Sequence, residues 1–351
     1  MFTFKIFKIL ITNLSIKEYL EIIRNIPTLD VRSPLEYEHA HIPGAINLSL
    51  LNNEERKIIG TTYKNSGNQS AVIQGYQLVG PKFSQYIESA LKISPDKIIN
   101  VYCWRGGLRS NIMAFILHTA GFKVNLLIGG YKAFRNWTSD SLSEERKIKI
   151  IGGKTGSGKT LIIEQLRKME EQVINLESLA NHRGSAFGSM GQSAQVSNEQ
   201  FENLLVMEWK DLNSSKTLWL ENESRTIGSN VIPLPIFNQM QKAITFDVQI
   251  PLEERVNYIV KEYGCFNYTE LANNTSKLQK RLGNLRLNQA LDFLSNGLIR
   301  EWSILMLEYY DKTYIYGNSK RELGTVIPMV FDKLNVEEMT IKILQWEKQN
   351  D

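Results

Sequence analysis

The sequence predicts an α/β protein of two successive parallel-sheet domains, the second ending in a long helical region. Three observations carry this. The β-branched run 98–102 leads through a cysteine and a glycine-containing loop into the helical run 111–117. A second apolar run, 148–151, leads through a glycine-rich loop into the helical run 161–166. Beyond Pro251 the apolar residues recur at helical spacing. A length of 351 residues also exceeds what one ordinary core supports.

Composition narrows the class. Hydrophobic content of 42% and charged content of 22% are those of a soluble globular protein, and no apolar run approaches the ~20 residues of a membrane helix. Residues 1–10 are apolar but interrupted by lysines, with no small-residue cleavage site after them, so they read as a strand or helix edge and not a signal peptide. Two cysteines, Cys103 and Cys265, argue against a disulfide framework and fit a reducing cytoplasm. Cys265 has no cationic neighbour and reads as structural. Residues 1–146 hold 17 Lys and Arg against 12 Asp and Glu, whereas residues 147–351 hold 24 against 25. This asymmetry permits nucleic-acid binding without demanding it.

In chain order, residues 14–26 read as a short helix and 28–32 as a strand. Residues 35–48 then read as short helix, turn and strand, because proline and Gly44 punctuate the pattern. Asp30 and Arg32 read as a solvated pair. His39 and His41 lack neighbours at metal-ligand spacing and read as surface or turn histidines. Residues 52–81, rich in Gly, Asn, Gln and Ser, read equally as a solvated insertion or as a lid or RNA-contacting loop near the cysteine.

Cys103 ends the strand 98–102 and faces a loop whose amides open onto a helix. Arg105, Arg109, Gly106 and Gly107 surround it. Such a loop attracts anions, and the two guanidinium groups are expected to favour the thiolate. A polar stretch, 138–146, marks the linker between a first domain at 1–137 and a second beginning at 147.

The next motif is Gly153-Lys154-Thr155-Gly156-Ser157-Gly158-Lys159-Thr160 between strand and helix, the setting a P-loop requires. Gly153, Gly156 and Gly158 let backbone amides wrap a polyphosphate; Lys159 neutralises it, and Thr160 can ligate Mg²⁺. The motif does not choose between ATP, GTP and a prenyl diphosphate. Residues 173–177, 217–225 and 243–248 read as further strands of a P-loop sheet spanning 147–250. Arg183, on the loop that holds His182 and Ser185, and Arg225 are phosphate-binding candidates. Glu221 and Glu223 are candidates for a metal-orienting carboxylate. Residues 251–351 read as mostly helical and complete this domain. Within them the basic run 280–286 reads as a solvated face or as a closure over phosphates or RNA, and the tyrosines of 309–316 as packing residues or base stackers.

The first half resembles the rhodanese family, on Asp30-Val31-Arg32, the run from Glu36 to Asn47, the loop from Cys103 to Ser110, and Gly129-Gly130-Tyr131. The resemblance implies a small parallel α/β domain in which Cys103 carries a chalcogen. Five residues separate Cys103 from Arg109, one more than in ordinary sulfurtransferases. Such a loop also occurs in rhodanese-like phosphatases, which carry histidine where this chain has Tyr102. With the P-loop, the run 176–188 and the run 221–230, the whole resembles the tRNA 2-selenouridine synthases over roughly residues 25–315.

That resemblance implies a cytoplasmic enzyme acting on wobble 2-thiouridine in the anticodon arm of tRNA, with geranyl diphosphate and selenophosphate as co-substrates. It implies alkylation of the sulfur, then replacement of the S-geranyl group by selenium carried on Cys103 as an S-selanyl adduct, with Arg105 and Arg109 holding the departing phosphate. A monomer is expected, with no membrane partner, no tightly bound cofactor, no certain metal, and Mg²⁺ admissible at the P-loop. The reading to set against it is a persulfide sulfurtransferase fused to an ATP-dependent kinase.

Overall fold

The computed structural model describes residues 11–319, 321–322 and 324–350, so the reading of residues 1–10 lies outside the described residues. The chain divides into two compact units, Met1–Ser141 and Leu142–Asp351. No helix among the described residues is long and apolar enough to cross a membrane.

Among the described residues, five strands build the first unit: β1 (Ile11–Leu14), β2 (Thr28–Asp30), β3 (Ile46–Asn47), β4 (Ile98–Tyr102) and β5 (Lys123–Leu127). They form one sheet in the order β1-β5-β4-β2-β3, every pairing parallel. The central strand β4 has four consecutive buried residues, as a strand covered on both faces should. Helix Leu108–Thr119 supplies much of that cover through Ile112, Met113, Ile116 and Leu117, two adjacent pairs one turn apart. The first helix is shorter than the expected 14–26. Leu14 pairs with Leu127 in β1, and a Ser15–Glu18 capping box starts the helix Ile16–Ile22.

Three further expectations change here. Asp30 and Arg32 are not a solvated pair: both are almost wholly buried and joined at 2.6 Å. Residues 52–81 are not a loop but a helical, mostly exposed segment, as a solvated insertion would be. Helix Asn53–Val79 is broken at Gly67 (φ +80°), and Thr62 donates to Gln74 Oε1 at 2.6 Å, so its halves fold back as a helical hairpin. The start of the expected linker at 138 is still helix, because helix Gly130–Ser141 runs on with Tyr131, Phe134, Thr138 and Ser141 buried.

The second unit contains β6 (Ile148–Gly153), β7 (Gln172–Val173), β8 (Leu218–Glu221), the small antiparallel pair β9 (Thr226–Ile227) and β10 (Asn230–Val231), β11 (Ile244–Gln249) and β12 (Val326–Val330). The main sheet is parallel, in the order β12-β11-β6-β8-β7. Two strands depart from expectation. β7 is only two residues long, because Asn175 accepts from Ser178 N at 2.9 Å and caps the helix Leu176–Leu179. β12, a strand not singled out within the mostly helical region 251–351, forms a sheet edge, where Pro328 is tolerated.

Ile151, Ile162, Trp219 and Phe246 form the sheet core. A separate apolar cluster, including Phe187, Val256, Leu271, Leu294 and Trp302, holds the helices Leu252–Tyr263, Tyr268–Ser276, Asn284–Ser295 and Ile299–Asn318. Trp302 donates to Thr275 Oγ1 at 3.1 Å, so its one polar atom is satisfied.

Candidate functional site

The cysteine loop of the first unit leaves β4 at Tyr102. Cys103 is next, 3% exposed, and its Sγ lies 3.2 Å from Ser110 Oγ on the first turn of helix Leu108–Thr119. Ser110 in turn donates to the Gly107 carbonyl at 3.1 Å, tying the end of the loop to the helix. The start of the loop is pinned from the other side. Tyr131 N donates to the Cys103 carbonyl at 2.8 Å and Lys132 N to that of Trp104 at 2.9 Å. Only glycine fits at 130, since a Cβ there would lie 2.2 Å from the Cys103 carbonyl oxygen. Gly106 (φ +66°) is equally confined, 2.8 Å from the Leu127 carbonyl. Gly106 and Gly130 therefore serve close backbone contact around the thiol, whereas Gly107 has open space beside it.

The two arginines differ. Arg105 is exposed on the loop. Arg109, expected to hold the departing phosphate, forms a two-pronged ion pair with Glu36 at 2.6 and 3.2 Å. The pair works against the cost of burying Glu36 and, with Arg56 at 3.8 Å, holds that carboxyl at about 2. Glu36 also accepts from Ser33 N as the capping residue of helix Pro34–His39, so this anchor is already fixed in place. The charge of Arg109 is thus largely matched before any anion arrives.

In the second unit the P-loop follows β6. Gly153 (φ +144°) backs onto Ser157, where a Cβ would lie 2.3 Å from Ser157 Oγ, and Gly158 (φ +83°) precedes helix Lys159–Lys168. Ser157 is fully buried, and its hydroxyl has no hydrogen-bond partner among the described residues. Gly156 packs against Arg255 and Ile259 of the helix Leu252–Tyr263. Arg255 is itself fixed by Asp311, which also lies 3.6 Å from Lys154 of the loop.

Facing the loop is a carboxylate cup. Glu177, Glu221 and Glu223 each bring an oxygen within 4.8 Å of the others. Burial raises all three, and repulsion by neighbouring cup carboxylates raises Glu177 and Glu223 further; Lys159 opposes the rise, and Glu177 is pushed up to about 10 and Glu223 to about 7. Glu221 is 1% exposed and hydrogen-bonded to Thr160, while its Oε1 has no partner among the described residues. Glu221 and Glu223 were legible at the end of β8. Glu177 was not singled out, although it follows β7, whose C-terminal end adjoins that of β8. Neighbouring parallel strands bring such ends together, and that is the signal that finds it.

The two phosphate-binding arginine candidates lie on exposed ground. Arg183 pairs with Glu262 at 3.0 Å, and Arg225 is exposed just before β9. Gly184 instead forms the wall, where a Cβ would lie 2.7 Å from Glu177 and 2.9 Å from Glu223. Cys265, read as structural, is an exposed thiol.

A buried thiol on a glycine-clamped loop, followed in a second unit by a P-loop, defines an enzyme of the rhodanese–P-loop fusion class. The family model for a rhodanese-like domain matches residues 15–136, and that for the tRNA 2-selenouridine synthase AAA domain matches residues 146–339. The chain therefore belongs to the tRNA 2-selenouridine synthase family, whose substrate is tRNA. Among solved structures, the N-terminal domain of a Clostridium difficile 630 protein named for ATP/GTP binding is 35% identical, with 36% of this chain and 98% of that chain covered and a TM-score of 0.34. A structural-genomics target from Bacillus halodurans is 24% identical over 36% and 72% of the two chains, with a TM-score of 0.22. A Thermus thermophilus protein is 16% identical over 59% and 98%, with a TM-score of 0.32. The family models alone carry the assignment.

Proposed function

We propose that this enzyme of tRNA selenouridine synthesis converts wobble 2-thiouridine in the anticodon arm to 2-selenouridine in two steps, one at each loop. In the first, the thiouridine sulfur attacks the C1 carbon of geranyl diphosphate. The carbon–oxygen bond breaks, pyrophosphate departs and the N3 proton is lost. The P-loop amides and Lys159 hold the diphosphate, whose negative charge grows as it leaves. Alkylation turns a poor leaving group into a geranylthiol.

In the second step selenophosphate is held at the Cys103 loop; its selenium attacks C2, the C2–S bond breaks and the geranylthiol leaves, and water then cleaves the Se–P bond, releasing phosphate and leaving 2-selenouridine. Arg105 and the loop amides are the groups placed to hold the phosphate; Arg109 acts through its tether to Glu36. No hydrolysis of ATP enters either step, and the chain works as a cytoplasmic monomer.

The donor set of the cup also fits a hard divalent cation. Its oxygens lie within 4.8 Å of one another, and Glu221 Oε1 is buried without a partner among the described residues. Thr160 and Glu221 would hold a Mg²⁺ there, which would neutralise diphosphate charge.

The observation that supports the two-step reading is an intact buried thiol loop in one unit and an intact P-loop in the other, within a chain of this family. The test supplies thiolated tRNA, geranyl diphosphate and selenophosphate, and identifies the wobble nucleoside by mass. The wild type is expected to yield 2-selenouridine, Cys103→Ala to stop at S-geranyl-2-thiouridine, and Lys159→Ala to leave the thiouridine unalkylated. Normal selenium incorporation by Cys103→Ala, or ATP turnover without tRNA and no geranylation, overturns the reading.

A further inference from the structure

The second unit carries slightly more acid than base, yet one stretch of it is strongly basic. Residues 271–291 contain Lys277, Lys280, Arg281 and Arg286 and not a single Asp or Glu. The stretch covers the end of helix Tyr268–Ser276, helix Gln279–Leu282 and the start of helix Asn284–Ser295, which turn on Gly283 (φ +75°). Lys277, Lys280 and Arg281 are exposed. Of the four cations only Arg286 lies against a carboxylate among the described residues, Glu308 at 3.9 Å. A solvated helix face ordinarily interleaves both signs of charge; this one does not.

The ledge is physically joined to the carboxylate cup. Arg281 donates to the hydroxyl of Tyr309, and the Tyr309 ring meets that of Tyr310 edge-on at 5.0 Å. The Tyr310 hydroxyl accepts from Ala186 N at 3.2 Å. Two residues earlier, Gly184 is the wall against Glu177 and Glu223. A continuous path of contacts therefore runs from an exposed cationic surface, past two tyrosines, to the rim of the P-loop site. An RNA backbone that delivers one base to this site needs a cationic place to rest outside the cup.

We propose that residues 277–286, with Tyr309, are the RNA-docking ledge of the P-loop site and seat the phosphodiester backbone of the tRNA anticodon arm. The proposal rests on the reading of that site as one that acts on a tRNA base. Its chemistry is charge complementarity: ammonium and guanidinium groups replace condensed counterions on the phosphates, which makes the affinity salt-dependent. The tyrosine edge offers a surface on which an unpaired base can stack.

The test measures binding of a synthetic anticodon stem-loop RNA to the full chain at several salt concentrations, with neither co-substrate present. Lys280→Glu with Arg281→Glu is expected to weaken binding at least tenfold. Their neutral counterparts, Lys280→Gln with Arg281→Gln, are expected to lower the slope of log affinity against log salt by about 1.5, roughly 0.7 for each lost contact to single-stranded backbone. Lys216→Glu, an exposed reversal just before β8 and so at the opposite end of the sheet strands from the P-loop, is expected to bind as the wild type does. Wild-type affinity and salt slope in the two Lys280/Arg281 variants overturn the ledge, as does an equal loss in Lys216→Glu. Because binding is read without chemistry, a wild type that binds this RNA through the ledge but forms no selenouridine counts against the two-step reading and leaves the ledge standing.

Discussion

Arg32 shows how much one residue's surroundings decide. Its guanidinium is 1% exposed, bonded to Asp30 through Nε and Nη2, to the Ala40 carbonyl at 2.6 Å, and set 4.0 Å over the Tyr131 ring. Tyr102 donates to the same Asp30 Oδ2 at 2.8 Å. A buried pair of this kind adds little over apolar packing, because desolvation offsets the attraction, but removing one partner leaves a buried charge unmatched. Asp30→Ala is therefore expected to cost about 3–5 kcal/mol, read as a lower denaturant midpoint in urea unfolding. A loss below 1 kcal/mol would mean that water reaches the guanidinium. None of this was legible in Asp30-Val31-Arg32 itself. Two charges flanking a valine look like the solvated side of a strand, and their burial comes from Tyr102 and Tyr131, about 70 and 100 residues further along.

At the scale of elements, strand–loop–helix units were the legible part. Both functional loops fall where an apolar β-branched run meets glycine and then helical spacing, and β4, β6 and β8 lie where the pattern put them. Pieces defined by partners from afar were not legible: the edge strand β12, recognisable only by its pairing with β11, and Glu177, which joins the cup because β7 sits beside β8. The carboxylates at these strand ends carry a pH dependence. Folding raises their pKa values above those of the unfolded chain, so their contribution to stability is complete below the unfolded value, near 4.3, and is lost as pH rises through about 7 for Glu223. With chelator present, the thermal midpoint is expected to fall between pH 5 and 8. Glu223→Gln, which cannot ionise, is expected to flatten that fall and exceed the wild type at pH 8. A wild-type midpoint that rises over this range would show the cup to be ionised and matched by cations in the folded chain.

At the scale of the whole molecule, the chain holds two sites with separate frameworks. The thiol loop is built entirely from residues of the first unit, by Gly129, Gly130, Ser110 and Glu36. The cup is built entirely from the second, by β6, β7, β8 and the loop 182–188. The contacts described for each site are made by residues of its own unit. The proposed intermediate, an S-geranyl nucleoside within tRNA, is covalently complete and can leave one protein molecule and enter another. It follows that Cys103→Ala and Lys159→Ala, each unable to make 2-selenouridine alone, should make it when mixed. The first alkylates the tRNA and the second exchanges the thiol for selenium. The rate should rise with the concentration of either variant, since transfer between molecules is bimolecular. A mixture that accumulates only S-geranyl-2-thiouridine would mean that the intermediate is handed over within one chain and never released.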